Sequence, residues 1–266
     1  MTSGIVPGDN AATIVGAIGA AAMGGATMLF TPEMSGLIDR DRKRASANIV
    51  REEDSPVLGA VREAAAQAGL WVALGSLAVA REDRRWANRA FLIDGSGAIV
   101  ARYDKLHMFD VDLATGESWR ESAAYAPGES VVVANTPLGK LGLTICYDLR
   151  FPALFEELGR KSCDVIAIPA AFTKPTGAAH WHVLQRARAI EASAYVISAA
   201  QVGQHADGRE TFGHSLVIDP WGEVLLDMGG EVSGLAFAEL DPARTAEVRA
   251  QLPSLANRRA IPKMSG

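Results

Sequence analysis

Three ionisable residues of different chemistry stand at the ends of apolar runs. Glu33 follows TMLFTP, Lys105 follows IVARYD, and Cys146 closes LGLTIC. Each run reads as a strand, so each side chain is delivered at a strand end, where α/β folds present reactive groups. Singly, a strand-end Glu or Lys is an ordinary solvated flank, and a free Cys an ordinary small core residue. Converging on one crevice, they become a carboxylate that takes and returns a proton, an ammonium that stabilises an oxyanion, and a thiol that attacks. Such a site requires no metal and no cofactor.

Cys146 is the better presented of the 2 cysteines. It lies between a buried strand and a predicted helix, where backbone N–H groups favour thiolate and can hold an oxyanion. Cys163, beside Asp164 just past a helix end, reads as structural and inert. Histidine is the usual base for a thiol nucleophile. None of His107, His180, His182, His205 and His214 pairs with Cys146 by spacing. His180 and His182 fall at i and i+2 of a predicted helix and so point to different faces, whereas helical metal pairs favour i and i+4.

The elements that must position these residues alternate in type. A helix is expected over 10–23, with Asn10 as N-cap and Gly24 as C-cap, then a buried strand over 26–31. Ser55-Pro56 caps and starts a helix that runs to Gly69, and a strand follows over 70–79. FLIDGSGAIVARY and SLVIDPWGEVLLD read as hairpins around Gly-containing turns. Strands are expected over 141–146, 164–169 and 195–201. Helices are expected from Phe151-Pro152 to Arg160, over 180–192, and after Asp241-Pro242. The run Asp39–Arg44 mixes charge signs and reads as a solvated loop or helix start. The pattern implies an α/β layered fold with mixed sheets inside and helices outside.

Composition narrows the function classes. With 266 residues, 48% hydrophobic, 21% charged and a net charge of −5, the chain is an ordinary globular protein without the basic footprint of a nucleic-acid partner. Few cysteines for the length point to a reducing compartment, and a cytoplasmic location is expected. Residues 11–30 carry no charge, yet the preceding residues hold no Lys or Arg and the stretch breaks at Gly24-Gly25, so no membrane span or signal peptide is expected.

Thr-Pro-Glu with Glu33, YDKLHMFD with Lys105 and TICYDLRFP with Cys146 resemble, in order and spacing, the three signature segments of the nitrilase superfamily of carbon–nitrogen hydrolases. WRES around Glu121, AHWHVLQRARAIE over 179–191 and FGHSLVIDPWGEV over 212–224 extend the resemblance. It implies a four-layer α-β-β-α sandwich forming a single domain over residues 1–266, and a homodimer built from it. It also implies roles: Cys146 attacks an amide carbonyl and Glu33 is the general base. Lys105 and the backbone N–H of Tyr147 hold the oxyanion, and Glu121 positions substrate and lysine. The CYDLRFP segment and residues 170–205 point to the Nit-type amidase branch, most like deaminated-glutathione amidases. The expected substrate is therefore a small primary amide bearing a carboxylate, with ω-amidase and N-carbamoyl amino acid hydrolase activities as alternatives. A scaffold protein retaining the fold is the non-enzymatic alternative. Phe172, Thr173 and Lys174, in a loop after a strand end, are candidate substrate-binding residues, with Lys174 the candidate for the carboxylate. Arg150 is a second candidate, although an ion pair with Asp148 is the expectation for it. The resemblance further predicts a central strand upstream of Met1, whose loss would expose pairing edges.

Overall fold

The computed structural model describes residues 1–114, 116 and 118–262. Helix α1 (Pro7–Met23) begins with Pro at its first turn and ends at Gly24. Its Ile14, Ile18 and Ala21 are buried in one stripe. The start differs from expectation: Val6 is the N-cap, and Asn10 lies inside the helix. The Asn10 amide instead ties the chain's first turn together. It accepts from Gly4 N–H at 2.8 Å and donates to Gly4 O at 3.0 Å and Gly36 O at 2.9 Å.

A first sheet has the order β1-β2-β3-β4, with β1 (Met28–Phe30), β2 (Trp71–Ala80), β3 (Trp86–Ile93) and β4 (Ile99–Asp104). Between β1 and β2 run α2 (Arg42–Ser46), capped by Asp41, and α3 (Pro56–Ala68). Ser55 Oγ caps α3 by accepting from Leu58 N–H, and Gly69 ends it at φ 63°, as the sequence signals require. Short ribbons β5 (Asp110–Asp112) and β6 (Ser118–Arg120) follow.

The second sheet has the order β14-β13-β10-β9-β8-β7. It comprises β7 (Val132–Thr136), β8 (Gly139–Leu143), β9 (Val165–Ala167), β10 (Tyr195–Ser198), β13 (Leu216–Ile218) and β14 (Val224–Asp227). Strands β8, β9 and β10 are parallel and the rest antiparallel, so the sheet is mixed. The ribbon β11 (Val202–Gln204) and β12 (Glu210–Phe212) stands apart. Helices α4 (Pro152–Arg160), α5 (Lys174–Ala192) and α6 (Pro242–Gln251) complete the chain. Helix α5 starts six residues before the expected 180, because Pro at its first turn and Thr173 as N-cap open it earlier. Gly177 in that first part has no Cβ, and Phe212 occupies the space one would fill.

The layers follow from what each face buries. Ala73, Leu92 and Tyr103 of the first sheet share a core with Leu143, Ile166 and Ala167 of the second. Helices α1 and α3 cover the outer face of the first sheet through Ile14, Ile18, Leu58 and Val61, packed with Phe91 and Ile93. Phe155, Leu158, Trp181 and Ala189 of α4 and α5 cover the second sheet. Each buried Leu, Ile, Val or Phe among them contributes about 2 kcal/mol of transfer free energy. The result is the α-β-β-α sandwich. The outer edge of β1 is an edge strand, and a cavity of about 1010 Å³ lies beside it, lined by Met28, Phe30, Ser198 and residues 233–240. Among the described residues no helix is long and apolar enough to cross a membrane.

Candidate active site

Glu33 sits three residues past β1 on a loop that β2 grips. The pairing of β2 with β3 changes register between Leu74 and Leu77. In that bulge Gly75 N–H donates to Thr31 Oγ1 at 3.0 Å, and Met34 N–H donates to Ser76 Oγ at 2.8 Å. Ser35 N–H donates to Ser76 O at 2.9 Å. A Cβ on Gly75 would overlap Thr31 O and Pro32 O, so the approach requires glycine. Lys105 follows β4, and its N–H donates to Asn88 O of β3 at 3.0 Å.

Cys146 opens a short 3-10 helix, Cys146–Arg150, three residues after β8 ends. Its φ is 47°, a left-handed conformation that is strained for a non-glycine residue. Two contacts hold the turn. Cys146 N–H donates to Pro169 O at 2.8 Å. The fully buried Asp148 accepts from Ile145 N–H at 2.9 Å, Tyr103 Oη at 2.6 Å and His107 N–H at 3.1 Å. The expected Asp148–Arg150 ion pair is therefore absent. Arg150 approaches His180 Nδ1 at 3.2 Å and lies over the Tyr147 and Phe172 rings.

These elements bring the ionisable groups together. Lys105 Nζ donates to Glu33 Oε1 at 3.0 Å and to Glu121 Oε2 at 2.9 Å, while only 2% of its side chain is exposed. Ala171 N–H holds the other Glu33 oxygen at 2.8 Å, and Phe109 N–H holds Glu121 Oε2 at 2.7 Å. The Cys146 thiol and the Glu33 carboxylate line the same pocket. Burial pushes the Glu33 carboxyl up, but the Lys105 ammonium, the thiol and Asn88 together hold it below the usual glutamate value. Burial opposes the Lys105 charge, yet Glu121 and Glu33 raise its ammonium well above the usual lysine value. Burial and the Glu33 charge push the Cys146 thiol well above the usual cysteine value, against Lys105. The resting state is carboxylate, ammonium and neutral thiol. This reverses the sequence expectation of a favoured thiolate, because burial beside an anion outweighs the neighbouring N–H groups. Cys163, fully buried, is pushed by burial to about 12.

A pocket of about 790 Å³ opens onto this cluster. Glu33, Lys105, Glu121, Cys146 and Tyr147 line it, with Phe172 and Thr173. Lys174 is not part of the wall. It starts α5 and pairs with Glu210 at 2.6 Å, its side chain 60% exposed. Besides Lys105, the pocket's cations are arginines. Arg209 is neutralised by Asp207 at 2.8 Å and Arg120 by Asp112 at 2.7 Å. Arg40 lies over the Trp119 ring and Arg42 donates to Arg120 O at 2.6 Å. Neither forms a carboxylate pair among the described residues.

A family model described as carbon–nitrogen hydrolase matches residues 7–250. The chain belongs to the carbon–nitrogen hydrolase family. A Yersinia enterocolitica relative named deaminated glutathione amidase is 40% identical over 240 residues, which is 89% of this chain and 83% of that protein. The crystal structure of the C. elegans NitFhit protein matches with a TM-score of 0.89 at 34% identity, covering 97% of this chain and 63% of that one. A variant amidase from Nesterenkonia sp. AN1, with the acetamide moiety of fluoroacetamide covalently added at its active-site cysteine, matches with a TM-score of 0.82 at 25% identity, covering 97% and 90%.

This carbon–nitrogen hydrolase is an enzyme of the amidase type. One residue of its site is missed by the sequence reading. Asn88 is fully buried in β3 and donates from Nδ2 to Glu33 Oε1 at 2.9 Å and Glu121 Oε1 at 3.2 Å. Its Oδ1 has no hydrogen-bond partner among the described residues. A lone polar residue at an inward strand position of WANRAFLI is the signal that marks it.

Proposed function

We propose that this hydrolase cleaves the terminal primary amide of a small carboxylate-bearing substrate through a thioester on Cys146, most like a deaminated glutathione amidase. The observation that carries the reading is Cys146, held in a strained turn and lining one pocket with a Glu33 carboxylate that Lys105 pairs. As the thiol attacks the carbonyl carbon, its proton passes to Glu33. The oxyanion is held by Lys105 Nζ and the N–H of Tyr147, which lies in a leading helical turn without an intrahelical acceptor. Glu33 returns the proton to the departing amine, the carbon–nitrogen bond breaks and ammonia leaves. Water then attacks the thioester, giving a proton to Glu33; the carbon–sulfur bond breaks, Glu33 passes that proton to the departing thiolate, and the carboxylic acid and free thiol are released. Glu121 fixes the lysine. Arg40 and Arg42 receive the substrate carboxylate.

Ammonia release from deaminated glutathione, α-ketoglutaramate and an N-carbamoyl amino acid tests this. Deaminated glutathione is expected to be cleaved fastest, and Cys146→Ala to lose all turnover; unchanged turnover in that variant contradicts the mechanism. Preference for the N-carbamoyl compound, with carbon dioxide released, overturns the substrate assignment while leaving the nucleophile. Arg40→Gln is expected to raise KM for the anionic amide about tenfold with kcat retained, the size of one lost charged hydrogen bond. Its KM for a neutral amide stays unchanged.

A further inference from the structure

Outside the pocket, three side chains from three elements meet. His182 projects from α5, His214 precedes β13, and Asp227 ends β14. His182 Nε2 lies 2.9 Å from Asp227 Oδ2, and His214 Nδ1 lies 2.9 Å from Asp227 Oδ1. One donor atom from each falls within 4.8 Å of the others.

The surroundings fix this geometry. His214 adopts a left-handed φ of 54°, a strained backbone for a non-glycine residue. Its N–H donates to Gly229 O at 2.7 Å, and its carbonyl accepts from the Trp181 indole at 2.8 Å. Phe212 stacks on its ring at 4.4 Å. Gly230 walls in the second ring nitrogen, since a Cβ there would lie 3.0 Å from His214 Nε2. Nδ1 is thus the nitrogen that faces Asp227. The carboxylate is anchored by Gly229 N–H, which donates to Oδ1 at 2.9 Å. The three side chains remain 25–38% exposed, which leaves an entry path from solvent.

We propose that His182, His214 and Asp227 form a structural site for a divalent transition-metal ion of the zinc class, with water completing the coordination. Two imidazoles and one carboxylate suit such an ion, whereas magnesium and calcium take oxygen ligands. A tetrahedral ion about 2.0–2.1 Å from each ligand places the ligand atoms about 3.3 Å apart; Asp227 Oδ2 already lies 2.9 Å from His182 Nε2 and 3.1 Å from His214 Nδ1, so it withdraws by a few tenths of an ångström to admit the ion. The ion ties the middle of α5 to the β13–β14 edge of the second sheet. The competing arrangement is a purely hydrogen-bonded one, both imidazoles donating N–H to the carboxylate.

Cobalt and zinc titrations separate the two. The full chain carrying Cys146→Ala, so that the pocket thiol does not compete, is stripped with a chelator and titrated with cobalt(II) chloride. One equivalent is expected to give visible d–d absorption without a thiolate charge-transfer band, and zinc chloride to displace it one for one. His182→Gln and Asp227→Asn are each expected to weaken binding more than about a hundredfold, beyond the loss typical of outer-shell partners, with unchanged circular dichroism. Absence of one-to-one binding in the parent overturns the proposal, as does undiminished affinity in whichever of the two variants retains its fold.

Discussion

Glu33, Lys105 and Cys146 are buried against one another, so the protonation of each depends on the other two. The proposed mechanism starts from Glu33 as carboxylate and Cys146 as thiol. Because the Glu33 carboxyl lies below its ordinary 4.5, that form is lost only as pH falls beneath that value. Because the thiol lies well above its ordinary 9.0, the alkaline limb lies beyond that value. The profile of kcat/KM against pH is therefore expected to be flat through neutrality. A limb near neutral pH would contradict the assignment of these states. The three residue types were legible because each ends an apolar run. Arg40 was not: it sits in a mixed charge run, and only the fold reveals that Arg44 takes Asp39 at 2.6 Å. The ion pair of Lys174 with Glu210 was hidden for the same reason, since Glu210 is adjacent only in space.

At the scale of elements, the decisive device is the β2 bulge. It holds the Glu33 loop by the three hydrogen bonds from or to Gly75 and Ser76. Gly75→Ala forces a methyl group against Thr31 O, Pro32 O and the Pro169 side chain. The expected outcome is a loss of at least about 2 kcal/mol in denaturant unfolding, with reduced kcat, because Pro169 O also receives Cys146 N–H. Stability within a few tenths of a kcal/mol of the parent would contradict the close approach. Helix starts with a polar cap before proline were legible, as at Ser55-Pro56 and Asp241-Pro242. Helix α1 was misplaced because its cap is Val6, which offers no side-chain acceptor. Strand β8 ends before the Cys146 turn because Thr144 N–H and Oγ1 both turn to Ala167 O, a contact between distant residues.

For the whole molecule, the two sheets divide the site between them. The first supplies Glu33, Asn88 and Lys105, and the second supplies Cys146 and the Ala171–Thr173 wall. Alternating strands and helices made the layered class legible in the sequence. The depth of burial that keeps Cys146 protonated was not, because it arises only when the sheets close on one another. The proposed mechanism stands or falls on a covalent thioester at Cys146, which mass spectrometry of enzyme acid-quenched during turnover of deaminated glutathione detects. The peptide containing Cys146 is expected to gain the mass of the substrate acyl group, the substrate less ammonia, and no such gain is expected in Cys146→Ala. An unmodified Cys146 peptide at a time of steady ammonia release, under conditions that trap the thioester of a known cysteine amidase, would contradict the account.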